Sequence, residues 1–397
     1  EIKKLFKIFE KNIPKDKKVA MFVGGCVRKF ILNEEIDDID IATILSPKEI
    51  KNKFESEGEF RVIDTGSKHG TVTILINKSK FELTTLRKDI LTDGRHAEVE
   101  FTENWKADSE RRDFTINSIY LDKNGKIFDP QLGVQDLKNG VVKFIGDPTK
   151  RINEDYLRII RFIRFALEYN YTNFELSTFE AIKLNLNGIK KISKERILIE
   201  LLKTIQLGNF KEISSNEQLK TIFTNIFPEL KYLNRLENIN KINYNFDKIL
   251  MLSVLLLDDT NNYEYFCHKY NTSNEIKNSL TNLANLYEIA KSDRNFFKKN
   301  LSKNIYLHGK KILQDLSVFI FLDGKKMKNR ELEIQISEIN KIKVPKFPID
   351  GNFIMKKGIS EGKKIGSVLK NLEQEWLNNN YSLTEEYISS VIKKEKN

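Results

Sequence analysis

The stretch GGCVRKFILNEEIDDIDIA, residues 24–42, decides how the first third of the chain is read. Taken as a strand, Asp38-Ile39-Asp40-Ile41 turns both aspartates to one face and both isoleucines to the other. The isoleucines can then enter a core while two carboxylates converge on one spot. Such a pair repels itself unless a cation intervenes, and an all-oxygen pair on a rigid strand suits Mg²⁺. Alone, the pattern is also compatible with an acidic turn.

The residues just before it sharpen the reading. A strand that ends in Gly24-Gly25 and runs into a helix leaves free backbone N–H groups at the helix start. Those groups and the helix dipole attract phosphate, and glycines let the backbone approach it closely. Arg28, one turn into the helix, adds a charged donor. Further on, FELTTLR (81–87) places Glu82, Thr84 and Leu86 on one strand face, which makes Glu82 a candidate third carboxylate. An edge-strand charge is the alternative for Glu82.

The whole chain has a different balance from this acidic focus. Its 397 residues carry 67 Lys and Arg against 56 Asp and Glu, a net charge of +11 that favours a polyanionic partner such as nucleic acid. The two cysteines, Cys26 and Cys267, are far apart and in no metal-ligand spacing, which argues against a disulfide framework or zinc site and fits a reducing compartment, here expected to be the cytoplasm. The apolar run ILMLSVLLL (249–257) has about half the length of a membrane helix, and the N-terminus has no apolar signal core.

Residues 19–145 contain the β-type runs VAMFVGG, DIDIATIL, FRVIDTG, GTVTILI, FELTTLR, TINSIYLD and GVVKFIGD (the last ending at 147), punctuated by turns and helical patterns, so a mixed α/β domain is expected. From about residue 150 the pattern is helical. EDYLRIIRFIRFALEY and SKERILIELLKTIQ both carry apolar residues at i, i+3, i+4 spacing. Basic clusters recur towards the C-terminus, as in MKKGISEGKKIG, and suggest a phosphate-contacting surface.

The segments GGCVRKFIL…DDIDIAT, LTDGRHAEVEFTENW, RRDFTINSIYLD, FDPQLGVQDL, INEDYLRIIRFIRFA and ISKERILIELL occur in that order, followed by FPIDGNFIMKKGISEGKKIGSVLKNLEQEWL. Together they resemble the class II tRNA nucleotidyltransferases, the CCA-adding enzymes and their bacterial poly(A) polymerase relatives. The resemblance implies an α+β chain: a DNA polymerase β-like nucleotidyltransferase head over 1–145, a helical neck over 146–210, and a helical body and tail over 211–397.

It also implies roles. Asp38 and Asp40 match the metal-binding pair; Glu82 stays a candidate third catalytic carboxylate from its strand face alone. Gly24, Gly25 and Arg28 match the phosphate-binding turn, and Arg111, Arg112, Asp113 and Asn117 the motif that positions ribose and triphosphate. Glu154, Asp155 and Arg158 match the neck motif that reads the incoming base, and Arg161 is a further candidate for nucleotide binding. Lys194, Arg196, Lys356, Lys357, Lys363 and Lys364 are candidates for RNA contact. If Asp155 and Arg158 share a helix face at i and i+3, the carboxylate accepts from the amino group of cytosine or adenine while the guanidinium donates to their ring acceptors. Uracil and guanine present a carbonyl where the carboxylate wants a donor, so one Asp–Arg pair could select CTP and ATP without a template.

Segment 91–105 matches a flexible loop associated in the family with the switch from C to A addition. Lys29 departs from the family, which usually has Asp at that position. None of the four histidines is followed by Asp, so the metal signature of an appended phosphohydrolase domain is absent; His69, near the active-site segments, is expected to cap a turn. The expected activity is CCA addition to tRNA with Mg²⁺, CTP and ATP, without a membrane or a stable protein partner. A poly(A) polymerase, an A-adding enzyme and an inactive RNA-binding protein are the alternatives.

Overall fold

A computed structural model describes residues 1–14, 17–92, 97–171, 174–324, 327–359 and 362–396. The chain divides into two compact units, Glu1–Glu237 with Asn245–Lys277, and Asn238–Tyr244 with Asn278–Asn397. The boundaries expected at 145/146 and 210/211 both fall inside the first unit.

The first unit begins with α1 (Ile2–Glu10), β1 (Ala20–Val23), α2 (Gly25–Leu32), β2 (Asp40–Thr43), α3 (Pro47–Glu55), β3 (Arg61–Gly66), β4 (Thr71–Ile76) and β5 (Ser79–Thr85). A hairpin follows, β6 (Arg87–Thr92) and β7 (Ala97–Phe101), then α4 (Trp105–Glu110), the short strands β8 (Tyr120–Leu121) and β9 (Ile127–Phe128), and α5 (Gly133–Lys138). Seven strands form one mixed sheet in the order β3-β4-β5-β2-β1-β8-β9, with β2 and β5 parallel and the other neighbours antiparallel.

Strand alternation sorts the sheet into two faces. Ile41, Val72, Ile74, Phe81 and Leu83 join Leu5 and Phe9 of α1 and Ile50 and Phe54 of α3 in the main core, with Ile39 packed against it. Met21, Val23, Ala42, Leu86 and Tyr120 form a smaller cluster on the other face. Asp40 has the parity of Ala42, so its side chain leaves β2 on that second face. The α3 helix starts in a full capping box between Ser46 and Glu49 with Pro47 at its first position.

Two expectations for strands are corrected. GVVKFIGD contributes only an isolated bridge between Phe144 and Phe114, and TINSIYLD gives a 3₁₀ turn at Thr115–Asn117 before the two-residue β8. Conversely, the segment expected as a loop at 91–105 contains the end of β6, all of β7 and the start of α4; its residues 93–96 lie outside the described residues.

Helices α6 (Pro148–Glu154), α7 (Leu157–Glu168), α8 (Leu176–Asn185), α9 (Lys194–Ile205), α10 (Glu217–Ile226), α11 (Lys248–Leu256) and α12 (Asn262–Tyr270) complete the first unit with the start of α13 (Asn274–Ser292). The apolar spacing predicted α7 and α9 correctly: Ile159, Ile160, Phe162, Ile163 and Leu201 are buried, and Ser193 caps α9 by accepting from the Arg196 N–H. The run at 249–257 is α11, buried from Leu250 to Leu256. Among the described residues no helix is long and apolar enough to cross a membrane.

The second unit holds the rest of α13, then α14 (Leu301–His308), α15 (Lys310–Leu322), α16 (Asn329–Lys341), α17 (Gly351–Lys356), α18 (Gly362–Asn378) and α19 (Glu385–Lys396). Ile354, Ile359, Val368, Leu372, Ile388 and Ile392 close a small core among α17, α18 and α19.

Candidate active site

Asp40 is the first residue of β2. Its neighbours in register are Val23, the last residue of β1, and Glu82 on β5. Gly24, next along from Val23, has φ +76°, a conformation that favours glycine, and a Cβ there would lie 3.2 Å from Asp40 Oδ2. The carboxylate therefore rests against the turn that opens α2, whose start has no side-chain cap. Burial raises the Asp40 carboxyl above its ordinary value, Glu82 and Asp38 raise it further, and Arg112 and Arg28 oppose them.

Asp38 precedes the strand and is exposed, with Ile39 half-buried between it and Asp40. Glu82 directs Oε1 to Lys80 Nζ at 2.7 Å. Among the described residues no three His, Cys, Asp or Glu side chains are gathered closely enough to enclose a metal ion. The donor set nevertheless fits a hard divalent cation: Asp40 carries an uncomfortable negative charge beside Asp38, and the glycine turn leaves open the space a Cβ would fill. The remaining ligands of such a cation would come from water or phosphate.

Lys29 finds its place here. Its Nζ lies 2.6 Å from Asp37 Oδ1, which also accepts the Asp38 N–H at 3.0 Å. The bond from Lys29 holds the Asp37 carboxyl below its ordinary value. The third aspartate of the stretch is thus occupied by Lys29.

The RRDFTIN segment is anchored by a residue that the sequence reading missed. Asp108, fully buried on α4, receives Arg111 at 2.7 Å, Arg112 at 3.0 Å and the Tyr120 hydroxyl at 2.7 Å. Burial alone would raise the Asp108 carboxyl; Arg112 and Arg111 outweigh it and hold it well below the carboxylate range. The signal was present as D-x-x-R-R, the i, i+3, i+4 spacing of one helix face. Asp113 is also buried, and accepts from Arg161 Nε at 2.7 Å and Asn117 Nδ2 at 2.8 Å. Burial pushes its carboxyl up, but Arg161 and Asn117 prevail and depress it. Arg28 donates to Asn117 Oδ1 and, at 2.7 Å, to the Tyr169 hydroxyl.

Between α6 and α9 the expected pairing is re-sorted. The helix breaks at Asp155, whose φ −156° and ψ 105° separate α6 from α7, so Asp155 and Arg158 do not share a helical i, i+3 face. Asp155 Oδ1 accepts the Leu157 N–H at 3.1 Å, a local side-chain bond that competes with helix, and Oδ2 pairs with Arg196 at 2.6 Å. Arg158 pairs with Glu154 at 2.6 Å and donates to the Arg151 and Arg111 carbonyls. Arg196, expected to contact RNA, is therefore engaged with Asp155, whereas Lys194, Lys356, Lys357, Lys363 and Lys364 are exposed. His69 ends a 3₁₀ turn, and its carbonyl accepts from Arg87.

Comparison with known proteins gives the family of the chain. The family described as "Poly A polymerase head domain" matches residues 20–143, and "Probable RNA and SrmB- binding site of polymerase A" matches 173–233. A Homo sapiens protein, "CCA tRNA nucleotidyltransferase 1, mitochondrial", is 35% identical over 94% of this chain and 86% of its own. A "CCA-adding enzyme" of Streptococcus agalactiae is 30% identical over 92% of each chain. The crystal structure of the Bacillus stearothermophilus CCA-adding enzyme in complex with CTP has the same fold, with a TM-score of 0.68 and 21% identity over 100% of this chain and 98% of that one. With relatives this similar over nearly its whole length, the chain belongs to the CCA tRNA nucleotidyltransferase family.

Proposed function

We propose that this protein completes the 3′ end of tRNA by template-independent addition of C, C and A from CTP and ATP. The observation that carries the reading is the Asp40 carboxylate packed against the Gly24 turn at the uncapped start of α2, which brings a cation-seeking group and a phosphate-seeking one within a few ångströms. The 3′-hydroxyl of the tRNA gives up its proton to solvent, its oxygen forms a bond to the α-phosphorus of the nucleotide, the bond to the bridging oxygen breaks, and pyrophosphate leaves. Asp38 and Asp40 would hold a divalent cation, Mg²⁺ in this reading, which would supply activation of the hydroxyl and relief of phosphate charge.

The protein's own groups bind and orient. Backbone N–H groups after Gly24 and Gly25 receive the triphosphate, and Arg28 adds charge beside them. Glu82 supplies negative field from β5. Asp108 and Asp113 hold the Arg111, Arg112 and Asn117 side chains in a fixed frame around the ribose and triphosphate. Asp155 and Arg158 read the base from positions fixed by Arg196 and Glu154 rather than by a shared helix face, with Arg161 completing the neck side. On this reading residues 1–145 perform the chemistry, 146–210 select the base, and 211–397 grip tRNA through exposed lysines, with Lys194 adding to them. A reducing compartment suits Cys26 and Cys267, both buried and free; we read it as the cytoplasm, although the human relative is named mitochondrial.

The test supplies tRNAs ending before CCA, after CC, and complete, with each nucleoside triphosphate in turn. Addition of C, C and A followed by arrest is expected. Long A tails would instead identify a poly(A) polymerase, and A added only after CC an A-adding enzyme. Asp40→Ala should abolish transfer while tRNA affinity changes less than about threefold, under 1 kcal/mol; residual transfer above 1% of wild type, on the order of 3 kcal/mol of lost barrier, would overturn the metal assignment.

A further inference from the structure

Around Phe165, which is 1% exposed, polar side chains close a continuous hydrogen-bonded circuit between head and neck. Arg28 of α2 donates to Asn117, and Asn117 donates to Asp113 at 2.8 Å. Asp113 receives Arg161 of α7 at 2.7 Å, and Arg161 reaches Glu200 of α9 at 3.4 Å. Glu200 receives Arg164 at 2.8 Å, and Arg164 reaches Glu168 at 3.3 Å. Tyr169 donates to Glu168 at 3.2 Å and accepts from Arg28 Nε at 2.7 Å, which closes the ring. Three guanidinium groups and three carboxylates balance in charge. Arg164, Arg28 and Arg161 lie 4.2, 4.9 and 5.5 Å from the centre of the Phe165 ring, with the Tyr169 ring within 10° of parallel to it.

Two nitrogens of Arg28 are spoken for, Nε by Tyr169 and Nη1 by Asn117. The third, Nη2, has no hydrogen-bond partner among the described residues and lies 4.0 Å from where a Cβ of Gly25 would stand. A guanidinium is planar, so fixing two of its corners aims the third. We propose that Tyr169 is a positioning residue: from the end of α7 it orients Arg28 so that Nη2 faces the glycine turn and the triphosphate bound there. The inference rests on the reading of that turn as the triphosphate site. It assigns a role in nucleotide affinity to a neck residue outside the base-reading motif.

Tyr169→Phe removes the hydroxyl and keeps the ring. The full chain is assayed for CTP binding at equilibrium without tRNA and for steady-state C addition to a tRNA lacking CCA. An arginine that holds triphosphate equally in ground and transition states contributes to KM rather than kcat. The expected result is a CTP Kd and KM raised about tenfold, 1.4 kcal/mol, with kcat and the KM for tRNA within about twofold, well under 1 kcal/mol. Arg28→Ala should raise the CTP Kd at least as much, and adding Tyr169→Phe to it should change nothing further. If Arg28→Ala weakens CTP and Tyr169→Phe does not, the proposal is wrong while the triphosphate reading stands. If Arg28→Ala leaves CTP affinity intact, or the wild-type chain binds no CTP, the reading of the site fails and the proposal with it. A lowered kcat and thermal midpoint at unchanged CTP affinity would make Tyr169 structural and overturn the proposal.

Discussion

Replacing Gly24 by Ala tests whether the glycine turn and Asp40 share one space. Gly24 has φ +76° and ψ −134°, so any side chain there is strained, of order 1–3 kcal/mol. The added Cβ would also stand 3.2 Å from Asp40 Oδ2, so the carboxylate must shift by a few tenths of an ångström. Gly58, in the turn after α3, separates the two effects: its φ is +68° and an added Cβ meets nothing within 4 Å. Both variants should lower the thermal midpoint, by roughly 2–4 °C per kcal/mol in a unit of this size. Only Gly24→Ala should lose C addition, by about 100-fold, because small misplacements at a reacting centre are amplified in rate. Thermal unfolding followed by fluorescence, and incorporation of labelled CTP into tRNA, measure the two quantities. If Gly24→Ala keeps activity within about threefold of Gly58→Ala, under 1 kcal/mol, the cradle does not constrain Asp40 and the reasoning fails.

Two further outcomes follow from the ion pairs. Asp108 and Asp113 have carboxyls depressed below the ordinary range, so on acidification the unfolded chain takes up protons first. Their stabilisation is complete above about pH 4 and is lost as pH falls through the depressed folded values. On this account the thermal midpoint stays level from about pH 8 to 5 and drops below about pH 4, with a shallower drop in Asp108→Asn; loss already between pH 6 and 5 would contradict it. Arg196→Ala leaves Asp155 without its 2.6 Å partner and should reduce the preference for CTP over UTP about tenfold, 1.4 kcal/mol. Weakened tRNA affinity with unchanged selection would return Arg196 to an RNA-contacting role.

The sequence by itself determined what short-range periodicity encodes. Alternation across Asp38–Ile41 turned the isoleucines toward a core and left Asp40 on the other face. The 3.6-residue spacing of EDYLRIIRFIRFALEY (154–169) and SKERILIELLKTIQ (193–206) specified two buried-face helices, although the first begins only at Leu157. Those features follow from the steric pitch of strand and helix, which each segment carries within itself. Only the tertiary structure decided which charges meet. Asp108 holds Arg111 and Arg112 within one helical turn, a spacing legible in advance, but Asp113 meets Arg161 across 48 residues and Asp155 meets Arg196 across 41. The break at Asp155 belongs to both levels. Aspartate is apt to bond its own backbone, yet whether it does so or continues the helix depends on the partner that α9 brings to its other oxygen. Many pairings among these arginines and carboxylates have similar local energies; the packing of α7 and α9 selects one of them, and for the buried Asp113 a charge left unpaired costs more than any local preference can return.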